Sequence, residues 1–145
     1  MYDFKKILES ARTIAVIGCS ADPSRTSFAI SRYLIEVGYQ IIPVNPNHRE
    51  VHGLTCYPDV GRIADDLRID IVNIFRRPAF TADMVRDVLK RIERTGEKPV
   101  IWTQIGVSSS VAEKLTDESG LVYVKNRCIM VEHSHLGGAR YAQPA

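Results

Sequence analysis

The chain has 145 residues, 45% hydrophobic and 25% charged, with a formal net charge of +2; it is long enough for one domain with an unstapled core, and too weakly charged to argue for nucleic acid. Its three cysteines, Cys19, Cys56 and Cys128, form no CxxC pair, which fits a reducing compartment better than a disulfide framework. No apolar run approaches the ~20 residues of a membrane helix, and the opening MYDFKKILES lacks the apolar stretch of a signal peptide, so the expected setting is the cytoplasm.

Phe4, Ile7, Leu8 and Ala11 fall at helical spacing, and Asp3 before them predicts a capped N-terminal helix. Residues 13–18 are an apolar run ended by Gly18 and read as a buried strand. Ile30, Tyr33, Leu34 and Val37 repeat at i, i+3, i+4, i+7, a helix capped by Thr26 or Ser27 and ended by Gly38. Residues 39–44 form a second β-rich run, stopped by Asn45-Pro46-Asn47. Gly53, Pro58 and Gly61 punctuate the next stretch, where only a short helix near 60–67 is predicted. Residues 69–75 read as a third strand, stopped by Arg76-Arg77-Pro78. Met84, Val85, Val88, Leu89 and Ile92 make a helical stripe, opened by Thr81 with Asp83 in the first turn and closed by Gly96. Arg86, Lys90, Arg91 and Arg94 are assigned to its solvated face. Residues 99–103 read as a fourth strand. Val111, Ala112 and Leu115 mark a helix capped by Ser108, Ser109 or Ser110. Residues 121–125 read as a fifth strand, and the small, polar tail from Gly137 is expected to fray.

Strands alternating with helices specify βαβ units and a parallel sheet with right-handed crossovers. The expectation is a single domain over residues 1–145: α/β, a doubly wound Rossmann-like parallel sheet of about five strands with helices on both faces.

Ligands of such sheets bind outside the carboxyl ends of the strands. Here those ends carry Gly18-Cys19-Ser20, Asn45-Pro46, Phe75-Arg76-Arg77-Pro78 and Trp102-Thr103-Gln104. The helix opening near Thr26 leaves unpaired N–H groups and a partial positive charge at its start. Arg25 adds planar donors suited to phosphate oxygens. A nicotinamide reading wants GxGxxG after the first strand and an acidic residue ~20 positions on. Gly18 has no glycine partner before Gly38, and the second strand ends in Asn45 with His48 and Arg49 nearby. NAD is therefore disfavoured, and the basic residues suit a ligand with an extra ribose phosphate. That leaves NADP or coenzyme A.

Other chemistry is weaker. His133 and His135 would face one way on a strand, but no third ligand completes a metal set, and His133 is expected to bond a neighbouring backbone group. Ser108–Ser110 form no GxSxG elbow. A catalytic Cys128 needs a base, and His133 serves only if the fold brings it close. Apolar residues of the N-terminal helix suit either the sheet or a second copy, so a monomer or small homo-oligomer is expected. An NADP-dependent oxidoreductase lacks a convincing Tyr–Lys or His–Asp pair. An interaction module whose groove has lost its ligand stays open as a further alternative.

The series VIGCSADPSRTS, GYQIIPVNP, VNIFRRP, VIWTQIGV and KNRCIMVEH resembles the small stand-alone CoA-binding domain proteins, themselves similar to the CoA-binding Rossmann domain of succinyl-CoA synthetase alpha subunits. The resemblance spans roughly residues 14–135. It implies coenzyme A bound at the strand ends. It places Gly18, Cys19 and Ser20 in the phosphate turn, with Ser24 and Arg25 on phosphate oxygens. Asn45 and Pro46 would border the adenosine half or the pyrophosphate, and Phe75, Arg76 and Pro78 would wall the groove. Trp102 and Gln104 would lie further along it. Two positions depart from the family pattern: Thr26, where proline is frequent, and Cys19, where a small residue is usual. The synthetases carry their chemistry in a second domain and a partner subunit. The resemblance therefore implies a non-catalytic sensor, carrier or regulatory module, with CoA or an acyl-CoA as its small-molecule ligand, no metal, and no nucleic-acid or membrane partner.

Overall fold

The computed structural model describes residues 2–136. In chain order the elements are α1 (Phe4–Ser10), β1 (Thr13–Ile17), α2 (Thr26–Glu36), β2 (Gln40–Val44), the hairpin strands β3 (Glu50–Val51) and β4 (Leu54–Thr55), a 3₁₀ turn (Val60–Arg62), β5 (Ile71–Ile74), α3 (Pro78–Thr95), β6 (Val100–Thr103), α4 (Ser110–Glu118), β7 (Tyr123–Val124) and α5 (Ile129–Ser134). The tail expected to fray lies outside the described residues.

β2-β1-β5-β6-β7 form a five-stranded sheet, parallel throughout. The chain steps from β1 outward to β2, then returns to the other side of β1 as β5. That reversal is a topological switch point and opens a crevice at the carboxyl ends of β1 and β5. β1 is buried along its whole length, and its side chains alternate between two cores. Ala15 and Ile17 join Val85, Val88 and Ala112 of α3 and α4. Ile14 and Val16 join Leu8, Ile30, Leu34 and Ile129 of α1, α2 and α5. The doubly wound sheet with helices on both faces is as expected from the alternation of strands and helices.

Asp3 caps α1, accepting from the Lys6 N–H at 3.0 Å. α1 packs on its own chain: Leu8 is fully buried and the Phe4 ring lies 5.4 Å from that of Trp102. Ser109 caps α4, accepting from the Ala112 N–H at 3.0 Å. Gly96 closes α3 at φ 72.

Several elements differ from the sequence reading. α3 starts a turn early because Pro78 at its first position has a preset φ and no N–H to leave unpaired. Thr81 is thus inside the helix, and its hydroxyl donates to the Val107 carbonyl at 2.6 Å. Val111 is exposed rather than part of the apolar stripe of α4. The β3–β4 hairpin turns at His52 and Gly53, both at positive φ. His133 lies on α5, not on a strand. It is fully buried, and its Nδ1 meets the Tyr33 hydroxyl at 2.7 Å.

Arg91 is the largest departure, since it is not solvated but only 1% exposed. Its Nε donates to Glu97 Oε1 at 2.9 Å. Its two terminal nitrogens donate to the carbonyls of Ile63, Ala64 and Leu67 at 2.5, 3.0 and 2.9 Å. Glu97 in turn accepts from the Ile69 N–H at 2.8 Å. Residues 60–67 form only a short 3₁₀ turn, so their carbonyls need donors from elsewhere. One planar guanidinium supplies most of them, and Arg94 donates to the Gly61 carbonyl at 3.1 Å.

Candidate functional site

The first βα turn is shaped by Gly18, at φ 83. Its N–H donates to the Val44 carbonyl at 2.8 Å, joining the ends of β1 and β2. A Cβ here would lie 3.2 Å from the Phe75 carbonyl oxygen and 3.4 Å from Arg76 Cδ. Both backbone conformation and close approach of β5 therefore require glycine.

The loop that follows is organised by short polar side chains. The Ser20 N–H donates to Ser27 Oγ at 3.0 Å, and the Asp22 N–H to Ser20 Oγ at 3.0 Å. Ser24 donates to Asp22 Oδ1 through its N–H at 2.9 Å and its hydroxyl at 2.8 Å. These bonds, with a smaller contribution from the charge of Arg25, hold the Asp22 carboxyl below its ordinary range.

Neither of the two helices that follow β1 and β5 here is capped by a side chain. α2 has Arg25 at its N-cap position with no side-chain hydrogen bond. The expected cap from Thr26 or Ser27 does not form, and the Ser27 hydroxyl is engaged by Ser20. α3 has Arg77 at its N-cap, again without a side-chain bond. The two N-termini converge on a cavity of about 780 Å³ at the switch point. Unpaired N–H groups and the positive ends of two helices thus face one space.

Seven of the expected residues line this cavity: Gly18, Ser20, Ser24, Arg25, Asn45, Phe75 and Arg76. Asn45 is committed structurally, its amide donating to the Cys19 carbonyl at 3.0 Å while its oxygen accepts from the Asn47 N–H at 2.9 Å. It fixes the β1 and β2 turns against each other. Ser24 spends its hydroxyl proton on Asp22, which leaves Arg25 as the free donor of that pair. The Arg76 guanidinium lies over the Phe80 ring at 4.9 Å.

The other five are placed elsewhere. Pro46 lines a neighbouring recess of about 90 Å³, which shares Gly18 and Arg76 with the cavity. Pro78 serves as the first residue of α3. Cys19 is fully buried; burial pushes its thiol up, opposed by a hydrogen bond with Ser31 and aided slightly by the nearby Cys56. It is not the activated thiol of a helix N-terminus. Trp102 is fully buried, with its indole N–H donating to the Arg127 carbonyl at 2.8 Å. Gln104 is buried and accepts from Asn73 at 3.1 Å and from the Ile129 N–H at 3.0 Å, tying β5, β6 and α5 together.

The cavity also takes in Thr26, Ser27, Asn47, His48, Arg77 and Phe80; the sequence reading notes Arg77, His48 and the helix start at Thr26 at this edge, but gives Ser27, Asn47 and Phe80 no part in the site. Phe80 was hidden by the late start assigned to α3. With Pro78 as its first residue, one turn brings Phe80 back over Arg76. Among the described residues no carboxylate lines the cavity, and Arg25, Arg76 and Arg77 form no ion pair. Three cations around a polar space whose lining holds no carboxylate favour an anionic occupant.

Comparison with known proteins agrees with this chemistry. The family model described as "CoA binding domain" matches residues 12–134. The chain is 35% identical to the uncharacterized protein YneT of Bacillus subtilis, covering 91% of this chain and 93% of that protein. It is 27% identical to the alpha subunit of acetate–CoA ligase [ADP-forming] II of Pyrococcus furiosus, over 80% of this chain but only 24% of that subunit. Among solved structures, a hypothetical protein from Pyrococcus horikoshii OT3 superposes with a TM-score of 0.85 at 39% identity, covering 92% of this chain and 89% of that one. The chain belongs to the CoA-binding domain family.

Proposed function

We propose that the cavity at the ends of β1, β2 and β5 binds coenzyme A or an acyl-CoA non-covalently, and that the domain acts as a sensor, carrier or regulatory module without catalysis of its own. The observation that carries this reading is the convergence of Arg25, Arg76 and Arg77 with two helix N-termini on one cavity. Coenzyme A brings a diphosphate and a ribose phosphate, which match such a set of donors. The cavity's volume of about 780 Å³ falls within the range of cofactor sites. Phe75 and Phe80 give it apolar surface beside the charges.

Ser20 and Asp22 hold the loop, Gly18 lets the backbone approach, and the arginines neutralise phosphate charge. Catalysis would need a nucleophile with a base beside it. The most reactive side-chain type near the turn, the Cys19 thiol, is buried and protonated. Isothermal titration with CoA and with dephospho-CoA tests the reading. CoA binding, with dephospho-CoA weaker by about tenfold for the lost charge-assisted contacts, is the expected result. No heat and no thermal shift with CoA would contradict it.

A further inference from the structure

Beside the main cavity lies the recess of about 90 Å³, lined by apolar side chains of Ile17, Val44, Val60 and Met84 and by two carboxylates, Asp59 and Asp87. It opens across Gly18 and Arg76, which it shares with the cavity. Space for one water-sized probe is about 10–15 Å³, so the recess is on the scale of a single planar ring system and too small for a whole nucleotide.

The two carboxylates are not equivalent. Asp59 accepts from the Arg62 N–H at 3.1 Å and pairs with its guanidinium at 3.5 Å. Asp87, half-buried on α3, has no hydrogen bond or ion pair among the described residues. Burial, followed by the charges of Asp59 and Asp83, pushes its carboxyl up. A half-buried carboxyl with no protein donor, at the wall of an apolar slot, has acceptor capacity left for an occupant of that slot.

We infer that this recess takes the purine base of the bound ligand, and that Asp87 selects adenine by accepting a hydrogen bond from its exocyclic amine. The inference rests on the CoA reading of the adjoining cavity. The ring faces of adenine suit Val44, Val60 and Met84. Arg76, at the shared threshold, is positioned to cover the base edge while its charge faces the phosphates. A 6-oxo purine presents an acceptor where adenine presents a donor, and so sets two acceptors against each other at Asp87. Discrimination arises chiefly from that penalty, because a buried acceptor left facing another loses its water without gaining a partner.

The test is isothermal titration of the full chain with CoA and with the CoA analogue carrying hypoxanthine in place of adenine. Wild type should prefer CoA by about tenfold or more. Asp87→Asn, which offers both a donor and an acceptor, should bring the two ligands within about twofold. Asp87→Ala should also erase the preference, with equal thermal stability confirming that neither variant has lost the fold. CoA binding with an undiminished preference in both variants overturns the role of Asp87 while leaving the CoA reading intact. Failure of wild type to bind CoA overturns both together.

Discussion

Replacing Arg91 with methionine keeps most of the side chain's length and its helical fit, but removes the guanidinium that holds residues 60–67. Four carbonyls, those of Val60, Ile63, Ala64 and Leu67, lose a hydrogen bond from it, and of these Val60 and Ala64 keep a backbone donor. Glu97, 3% exposed, keeps only the Ile69 N–H and the Thr95 hydroxyl as partners. Removing one member of a buried ion pair costs about 3–5 kcal/mol, because the other charge stays desolvated. Total stability for a domain is about 5–15 kcal/mol, so roughly a fifth or more is at stake. For a chain of this size that corresponds to a melting temperature lowered by roughly 6–20 °C. Urea unfolding should give a lower midpoint at unchanged slope. The double variant Arg91→Met, Glu97→Met should recover part of the loss, since it removes the unpaired charge as well. A single-variant cost below about 1 kcal/mol, or a double variant as damaged as the sum of both singles, would refute the clasp. CoA affinity should fall too, because the held segment supplies Val60 to the recess.

Gly18→Ala should destabilise the fold by about 1–2 kcal/mol from its left-handed backbone alone; calorimetry reads this, and the Cβ contact with the Phe75 carbonyl should lower CoA affinity as well. Thiol labelling of the native protein should modify the half-buried Cys128 before the buried Cys19 and Cys56, whereas equal rates at all three would contradict the burial. Burial pushes the Cys19 and Cys56 thiols up, so the unfolded chain releases those protons first. Stability is therefore fully present below the ordinary thiol range and declines as the pH rises through and beyond it, which alkaline urea melts can follow.

The sheet was legible because β1 is a continuous apolar run and α3 a clean stripe, patterns that only burial explains. The anion logic of the first turn was legible for a related reason. Gly18, Arg25 and the α2 start are close in sequence, so local grammar alone assembles them. What escaped the sequence depends on distant partners. Arg91 reads as solvated on its own helix, and only the unpaired carbonyls of residues 60–67 explain its burial. Trp102 and Gln104 lie at a strand end as expected, but α1 and α5 cover them, and α5 has too short an apolar pattern to announce itself. The two-residue strands β3 and β4 carry no period to read. Asp87 sits among the charged residues of α3, and nothing local distinguishes it from its solvated neighbours.

The central claim is that the arginines at this edge hold a CoA phosphate set. Calorimetric titration of CoA into wild type and into the Arg25→Ala, Arg76→Ala double variant tests it most directly. Each lost charge-assisted contact is worth about 1.5–3 kcal/mol, so affinity should drop by about a hundredfold or more, with the melting temperature of the unliganded protein little changed. CoA bound equally well by both proteins would contradict the account.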